Sequence, residues 1–199
     1  VTINNRRKPF DDVRVRRALT HAIDRRAFID GVLDGYGRPI GSHFAPTDAG
    51  YVDLTGVYPY DPDKARALLK EAGVATPLNV TLTLPPPQYA RKGGEVVAAM
   101  LAKVGVNAKI ENVEWAQWLS GAFKGNFDLT IINHVEPLDY MQYANPSYYW
   151  GYASKAFREL AAKHAAETNA KERSRLFAEL QRMLRAAGTP AQIGEFLFS

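Results

Sequence analysis

Cysteine is absent from all 199 residues. That absence removes thiolate nucleophiles, cysteine-based zinc centres and disulfide staples together, and it is compatible with an oxidising compartment. Histidine is scarce: His21, His43, His134 and His164 stand apart, none with a second histidine three or four residues on to complete a helical metal site. No run approaches 18 apolar residues, so no membrane-spanning helix is written here. No cationic, apolar, small-residue leader opens the chain, and the expectation is that any secretion signal lies outside it. Catalytic signatures are missing too: there is no G-x-S-x-G elbow, no Walker loop and no H-E-x-x-H pair.

What is present suits a globular domain. The chain is 46% hydrophobic and 23% charged, and at this length it buries roughly two thirds of its unfolded surface without staples. The net charge of +4 is local. Residues 1–26 hold eight basic side chains (Arg6, Arg7, Lys8, Arg14, Arg16, Arg17, Arg25, Arg26) against three acids, and the remaining 173 residues balance at −1. Such a stripe is either the footprint of a nucleic acid or a set of helix-surface ion pairs; the second reading is the commoner.

Apolar spacing predicts a helix over 13–33, with Asp11 or Asp12 as its cap, and a Gly-, Pro- and Tyr-rich surface excursion over 35–60. Asp61-Pro62 followed by Gly73 brackets a second helix with cap, first-turn proline and left-handed terminator. A strand over 79–84, a helix over 89–104, a strand over 106–113, a short helix over 115–123 and a short strand over 127–133 follow. Two C-terminal helices are capped by Ser154 and by Asn169, the latter with Glu172 in a capping-box pattern, and 193–198 reads as a last strand or as a segment whose partner is missing. Helices alternating with strands give an α/β fold with helices packed on a mixed sheet, as one compact unit.

Chemistry concentrates after the strand over 127–133. His134, Glu136 and Asp139 fall within six residues there, where open α/β sheets collect ligands. These side chains suit ligand contact, an acid/base set, or plain loop polarity. In the next 13 residues, 140–152, six side chains are aromatic, interrupted by Asn, Pro, Ser and Gly. Rings with polar tips can line a wet cleft or plug a core, and Trp115 and Trp118 have the same ambiguity.

Asn5, then Pro9-Phe10-Asp11-Asp12-Val13-Arg14-Val15-Arg16-Arg17-Ala18-Leu19 and Ala22-Ile23-Asp24-Arg25, closely resembles the signature of family 5 bacterial extracellular solute-binding proteins. These include the oligopeptide-, dipeptide- and nickel-binding components of ABC importers. Val32-Leu33 with Gly35, the stretch 60–65, Leu68 through Gly73, Phe127-Asp128-Leu129, Glu172-Arg173 and Gln181 extend the likeness along the chain. In that family the signature opens the second large lobe. The resemblance therefore implies that 1–199 is one lobe of a two-lobed periplasmic-binding-protein-like fold whose N-terminal lobe is missing, with 193–198 a candidate return strand toward it. It implies a non-enzymatic binder that holds a peptide or other small solute between lobes and hands it to a membrane permease. The implied location is the periplasm, or the outer surface of a Gram-positive cell, with no cofactor, metal or nucleic acid. Family peptide binders commonly keep an aspartate in an Asp-Pro context after the matching strand; here the stretch is His134-Val135-Glu136-Pro137-Leu138-Asp139. The residues expected to bind ligand are Asp139, Glu136, His134, Tyr140, Tyr143, Trp150 and Trp118, and the rival class is a hydrolase or transferase using His134 with Glu136 or Asp139.

Overall fold

The computed structural model describes residues 1–44, 46–134 and 139–188, and the backbone of Gly194–Phe196. Asp12 starts helix α1 (Val13–Ala22), its carboxylate accepting from the Arg14 amide at 2.8 Å. The single helix expected over 13–33 is two helices. The chain turns extended at Ile23, and Asp24 starts α2 (Arg25–Val32) by accepting from the Arg26 and Ala27 amides, each at 3.0 Å. Apolar periodicity continues across this break because both helices turn the same kind of face inward, so the capping aspartate is the only local mark of it. Helix α3 (Pro62–Glu71) follows its sequence: Asp61 accepts from the Lys64 amide at 2.8 Å and Gly73 closes the helix at φ 71°.

Four strands form the main sheet: β1 (Thr2–Ile3), β3 (Leu78–Leu84), β4 (Val106–Asn112) and β5 (Leu129–Thr130), in the order β1-β5-β3-β4. β3 runs parallel to β4 and β5, and β1 is antiparallel to β5, so the sheet is mixed. Alternation puts Val80, Leu82 and Leu84 into the core. Helix α4 (Gln88–Ala102) packs on them through Gly94, where a Cβ would stand 2.2 Å from a Leu84 methyl, and on α2 through Gly93, where a Cβ would stand 2.7 Å from the Phe28 ring. The strand expected over 127–133 shrinks to two residues. Beyond Thr130 the backbone leaves the ladder, and the Asn133 amide donates instead to the Tyr89 phenol at 3.1 Å. The surface excursion holds β2 (Gly37–Pro39), which pairs antiparallel with β6 (Gly194–Phe196), so this last strand finds a partner within the chain.

Helix α5 (Trp115–Ser120) stops short of the expected 123, handing over to a 3-10 turn. Helices α6 (Lys155–Ala166) and α7 (Ala170–Ala186) start at Ser154 and Asn169. The capping box at Asn169 is only half made. Asn169 accepts from the Glu172 amide at 3.0 Å, but Glu172 turns its carboxylate to Arg175, and the Asn169 amide donates to Glu167 at 2.8 Å. A bidentate guanidinium one turn along is the stronger partner for that carboxylate.

Seven of the eight N-terminal basic side chains find acceptors within the chain. Arg6 donates to the Pro146 carbonyl, Arg7 to Asp128, Arg14 to Asp12, Arg25 to the Tyr58 carbonyl, and Arg26 pairs with Asp30. Arg16 and Arg17 take the Ala187 and Ala186 carbonyls, supplying the C-terminal turn of α7 with cationic donors. The stripe thus ties the N-terminal segment to distant backbone. No helix among the described residues is long and apolar enough to cross a membrane.

Candidate functional site

Because β3, β4 and β5 are parallel, they all end on one edge of the sheet. Pro85-Pro86-Pro87, Glu114-Trp115 and His134 follow these three ends in turn. At the β5 end His134 sits in a hydrogen-bonded chain. Its Nδ1 lies 2.5 Å from Asp139 Oδ2, its Nε2 lies 2.8 Å from the Tyr149 hydroxyl, and that hydroxyl lies 3.5 Å from Thr2 Oγ1. One assignment satisfies every contact with a neutral imidazole. Thr2 donates to the Tyr149 oxygen, Tyr149 donates to Nε2, and Nδ1–H donates to an ionised Asp139.

His43 completes the group from the excursion over 35–60. Its ring centroid is 6.1 Å from that of His134 and 5.5 Å from that of Tyr143, whose hydroxyl lies 3.5 Å from His43 Nδ1. Burial, reinforced by the neighbouring His134, lowers the His43 pKa to about 4, so this ring is neutral at neutral pH. Burial likewise raises the Tyr143 and Tyr149 phenols, keeping both protonated. Asp139, 8% exposed, is the acid of the described cluster.

The aromatic stretch serves mainly as core. Tyr143 and Trp150, each 1% exposed, stack at 4.3 Å between centroids, and Tyr140 packs edge-on against Phe44 and Phe177. Trp118 is 4% exposed and donates its indole N–H to Thr130 Oγ1 at 3.0 Å, while Trp115 is 42% exposed on the same short helix. The structure therefore brings His134, Asp139, Tyr143 and Trp150 together, sets Tyr140 against Phe177 of α7, and locks Trp118 to the sheet. Glu136 lies outside the described residues. Among the described residues no group of three or more His, Asp and Glu side chains could hold a metal ion.

Sequence reasoning missed His43, Tyr149 and Thr2 as partners of His134. His43 and Thr2 lie 91 and 132 positions from His134, the first in a segment whose pattern announces only a loop and the second in one that announces no element. Tyr149 lay inside the noted aromatic stretch, but nothing local distinguishes its ring from the four other tyrosines there.

Residues 1–158 match the model of the family described as bacterial extracellular solute-binding proteins, family 5 Middle. The dipeptide-binding protein of Escherichia coli K12 is 42% identical over 137 residues, 66% of this chain and 26% of that protein. Heme-binding protein A of Haemophilus influenzae is 30% identical over 196 residues, 91% of this chain and 36% of that one. The periplasmic binding protein DppA of Helicobacter pylori, solved with the peptide STSA, superposes with a TM-score of 0.83 at 26% identity, over 98% of this chain and 40% of that chain. The chain thus spans about a quarter to two fifths of these relatives' lengths. With the signature segment, the mixed sheet and the family match over most of its length in agreement, the chain belongs to the family 5 bacterial extracellular solute-binding proteins.

Proposed function

We propose that residues 1–199 form one lobe of a two-lobed solute-binding component of an ABC importer, which holds its ligand against the carboxyl edge of the sheet. The observation that carries this reading is the common edge of β3, β4 and β5, with the His134–Asp139 pair and its aromatic surround gathered where β5 ends. Family membership supports it, as do relatives named for binding dipeptides and heme. The ligand in this reading is a peptide or another small solute, the partner is a membrane permease, and the compartment is periplasmic or extracellular.

Asp139 has two tasks here. It orients His134, and it places negative charge, with Glu136 nearby in sequence, at the edge where a ligand ammonium would arrive. Truncating one partner of a buried charge pair typically costs about 2–5 kcal/mol. Asp139→Asn or Glu136→Gln in the full-length protein is therefore expected to weaken binding of dialanine by at least ~30-fold in calorimetry. Affinities within about twofold of wild type for both variants would place the anchor elsewhere.

A hydrolase built on His134 has less support. Both imidazole nitrogens are engaged, and the Tyr149 hydroxyl on Nε2 is held in its protonated form by burial. No lone pair is left to take a proton from a substrate. Dialanine recovered unchanged after long incubation agrees with a binder; a product that disappears in His134→Ala would overturn it.

A further inference from the structure

The order of protons along Thr2, Tyr149, His134 and Asp139 is set from the Thr2 end. Thr2, on β1, is 4% exposed, and among the described residues the one hydrogen-bond partner of its hydroxyl is the Tyr149 oxygen. A buried hydroxyl proton left without an acceptor is more costly than the same bond is favourable. The Thr2 proton therefore belongs on the Tyr149 oxygen, and the Tyr149 proton is left for Nε2 of His134, 2.8 Å away. Burial raises the Tyr149 phenol above its ordinary range, so that proton stays available to donate. An Nε2 that accepts carries no proton of its own. The single ring proton then stands on Nδ1, 2.5 Å from Asp139 Oδ2.

A charged ring would need the chain turned round. Nε2–H would donate to Tyr149 and Tyr149 to Thr2, and the buried Thr2 proton would be stranded. A hydrogen bond made to the neutral form of a group opposes its charged form. The other titratable groups around the ring are Asp139, which favours a charged imidazole, His43, neutral through burial, and beyond it Tyr143, held protonated by burial. Asp139 on one side of the imidazole and Tyr149 on the other thus act in opposite senses. The side chains of His134 and Asp139 keep 18% and 10% of their surface, whereas Tyr149 is 3% exposed. A ligand reaches the pair and not the phenol behind it.

We propose, on the reading that ligand binds where β5 ends, that Tyr149 directed by Thr2 is a positioning residue: it holds His134 neutral, so that the His134–Asp139 pair keeps a single negative charge and selects a ligand bearing a protonated amine. An imidazolium would cancel the charge of Asp139. The edge would then no longer tell an ammonium from a methyl group of the same size.

The test compares dialanine with isobutyryl-alanine, in which a methyl group replaces the ammonium, by calorimetry on the full-length protein. An ordinary imidazole is mostly charged at about pH 6 and mostly neutral at about pH 7.5, and a terminal amine is mostly charged at both. Wild type is expected to prefer dialanine by at least ~30-fold at pH 7.5. Tyr149→Phe is expected to lower the wild-type preference at least ~5-fold at pH 6, and to come within about twofold of it at pH 7.5, where an imidazole is neutral unaided. The nitrogen NMR signals of the His134 ring, read without ligand, should show a larger neutral fraction at pH 6 in wild type than in Tyr149→Phe. A preference unchanged by the variant at pH 6, or lowered equally at both pH values as plain loss of packing would do, would overturn the role. Equal ring protonation in the two proteins would overturn it as well. Equal affinity of wild type for the two ligands would overturn the selection of an amine. Binding of neither would overturn the reading of this edge as a peptide site, and the ring signals would still decide what Tyr149 does to His134.

Discussion

The cluster packed on the sheet is almost wholly aliphatic, with Leu19, Leu82, Val97 and Leu101 among its buried members, whereas the cluster beneath α6 and α7 is built from Trp118, Phe127, Tyr143, Tyr149, Trp150 and Phe157. Aliphatic side chains make no directional demands, so regular helices and strands suffice to bring them together. Aromatic rings with polar tips need particular neighbours: Trp118 finds Thr130, Tyr149 finds His134 and Thr2, and Tyr143 stacks on Trp150. Irregular chain can satisfy those demands, and the stretch carrying most of these rings is largely 3-10 turn and loop. The comparison teaches that the sheet side of the molecule is built for stability, and the aromatic side for placing polar groups at the end of β5.

Trp150 gives the sharpest break of that comparison. Trp150→Ala removes a ring 1% exposed and unstacks Tyr143, and is expected to cost about 3–5 kcal/mol in urea unfolding. Its indole N–H has no hydrogen-bond partner among the described residues, so Trp150→Phe loses packing alone and should cost less than half as much. Equal costs for the two would mean that directional contacts, rather than filled volume, dominate at this position.

His43 should give the aromatic side a pH dependence in the acid range. Its folded pKa of about 4 lies below the ordinary 6.5, so the unfolded chain binds more protons between those values. Its contribution is complete above about pH 6.5 and is lost as pH falls toward 4. Between pH 7 and pH 4.5 wild type is expected to lose about 2–3 kcal/mol from this group. Chemical denaturation of His43→Gln should show a correspondingly shallower fall; parallel curves would assign the acid sensitivity to other groups.

The smallest expected effect concerns the break between α1 and α2. Asp24→Ala leaves the Arg26 and Ala27 amides without their acceptor, and should cost about 1 kcal/mol with dialanine affinity unchanged. A loss of affinity there would show that α2 transmits to the ligand edge.

Much of the scaffold is legible in the residues themselves. Asp61, Pro62 and Gly73 bound α3, Ser154 and Asn169 start the last two helices, and alternation marks β3, because caps and periodicities act within a few positions. The His134–Asp139 pair was also within reach of sequence, as two polar groups five apart after a strand. Whether Asp139 was free, and what occupied the other imidazole nitrogen, was not. Thr2, His43 and Tyr149 come from three separate segments, and only the packing of the β1–β5 pair, the excursion and the aromatic stretch sets them around one ring. Arg185 is the clearest case. In sequence it is an arginine in the last turn of a helix, where a cation favours the dipole and meets water. Tertiary structure instead buries it against Tyr58 beside a second arginine, because the excursion folds back over α7 and closes off the solvent that its position in the helix would otherwise give it.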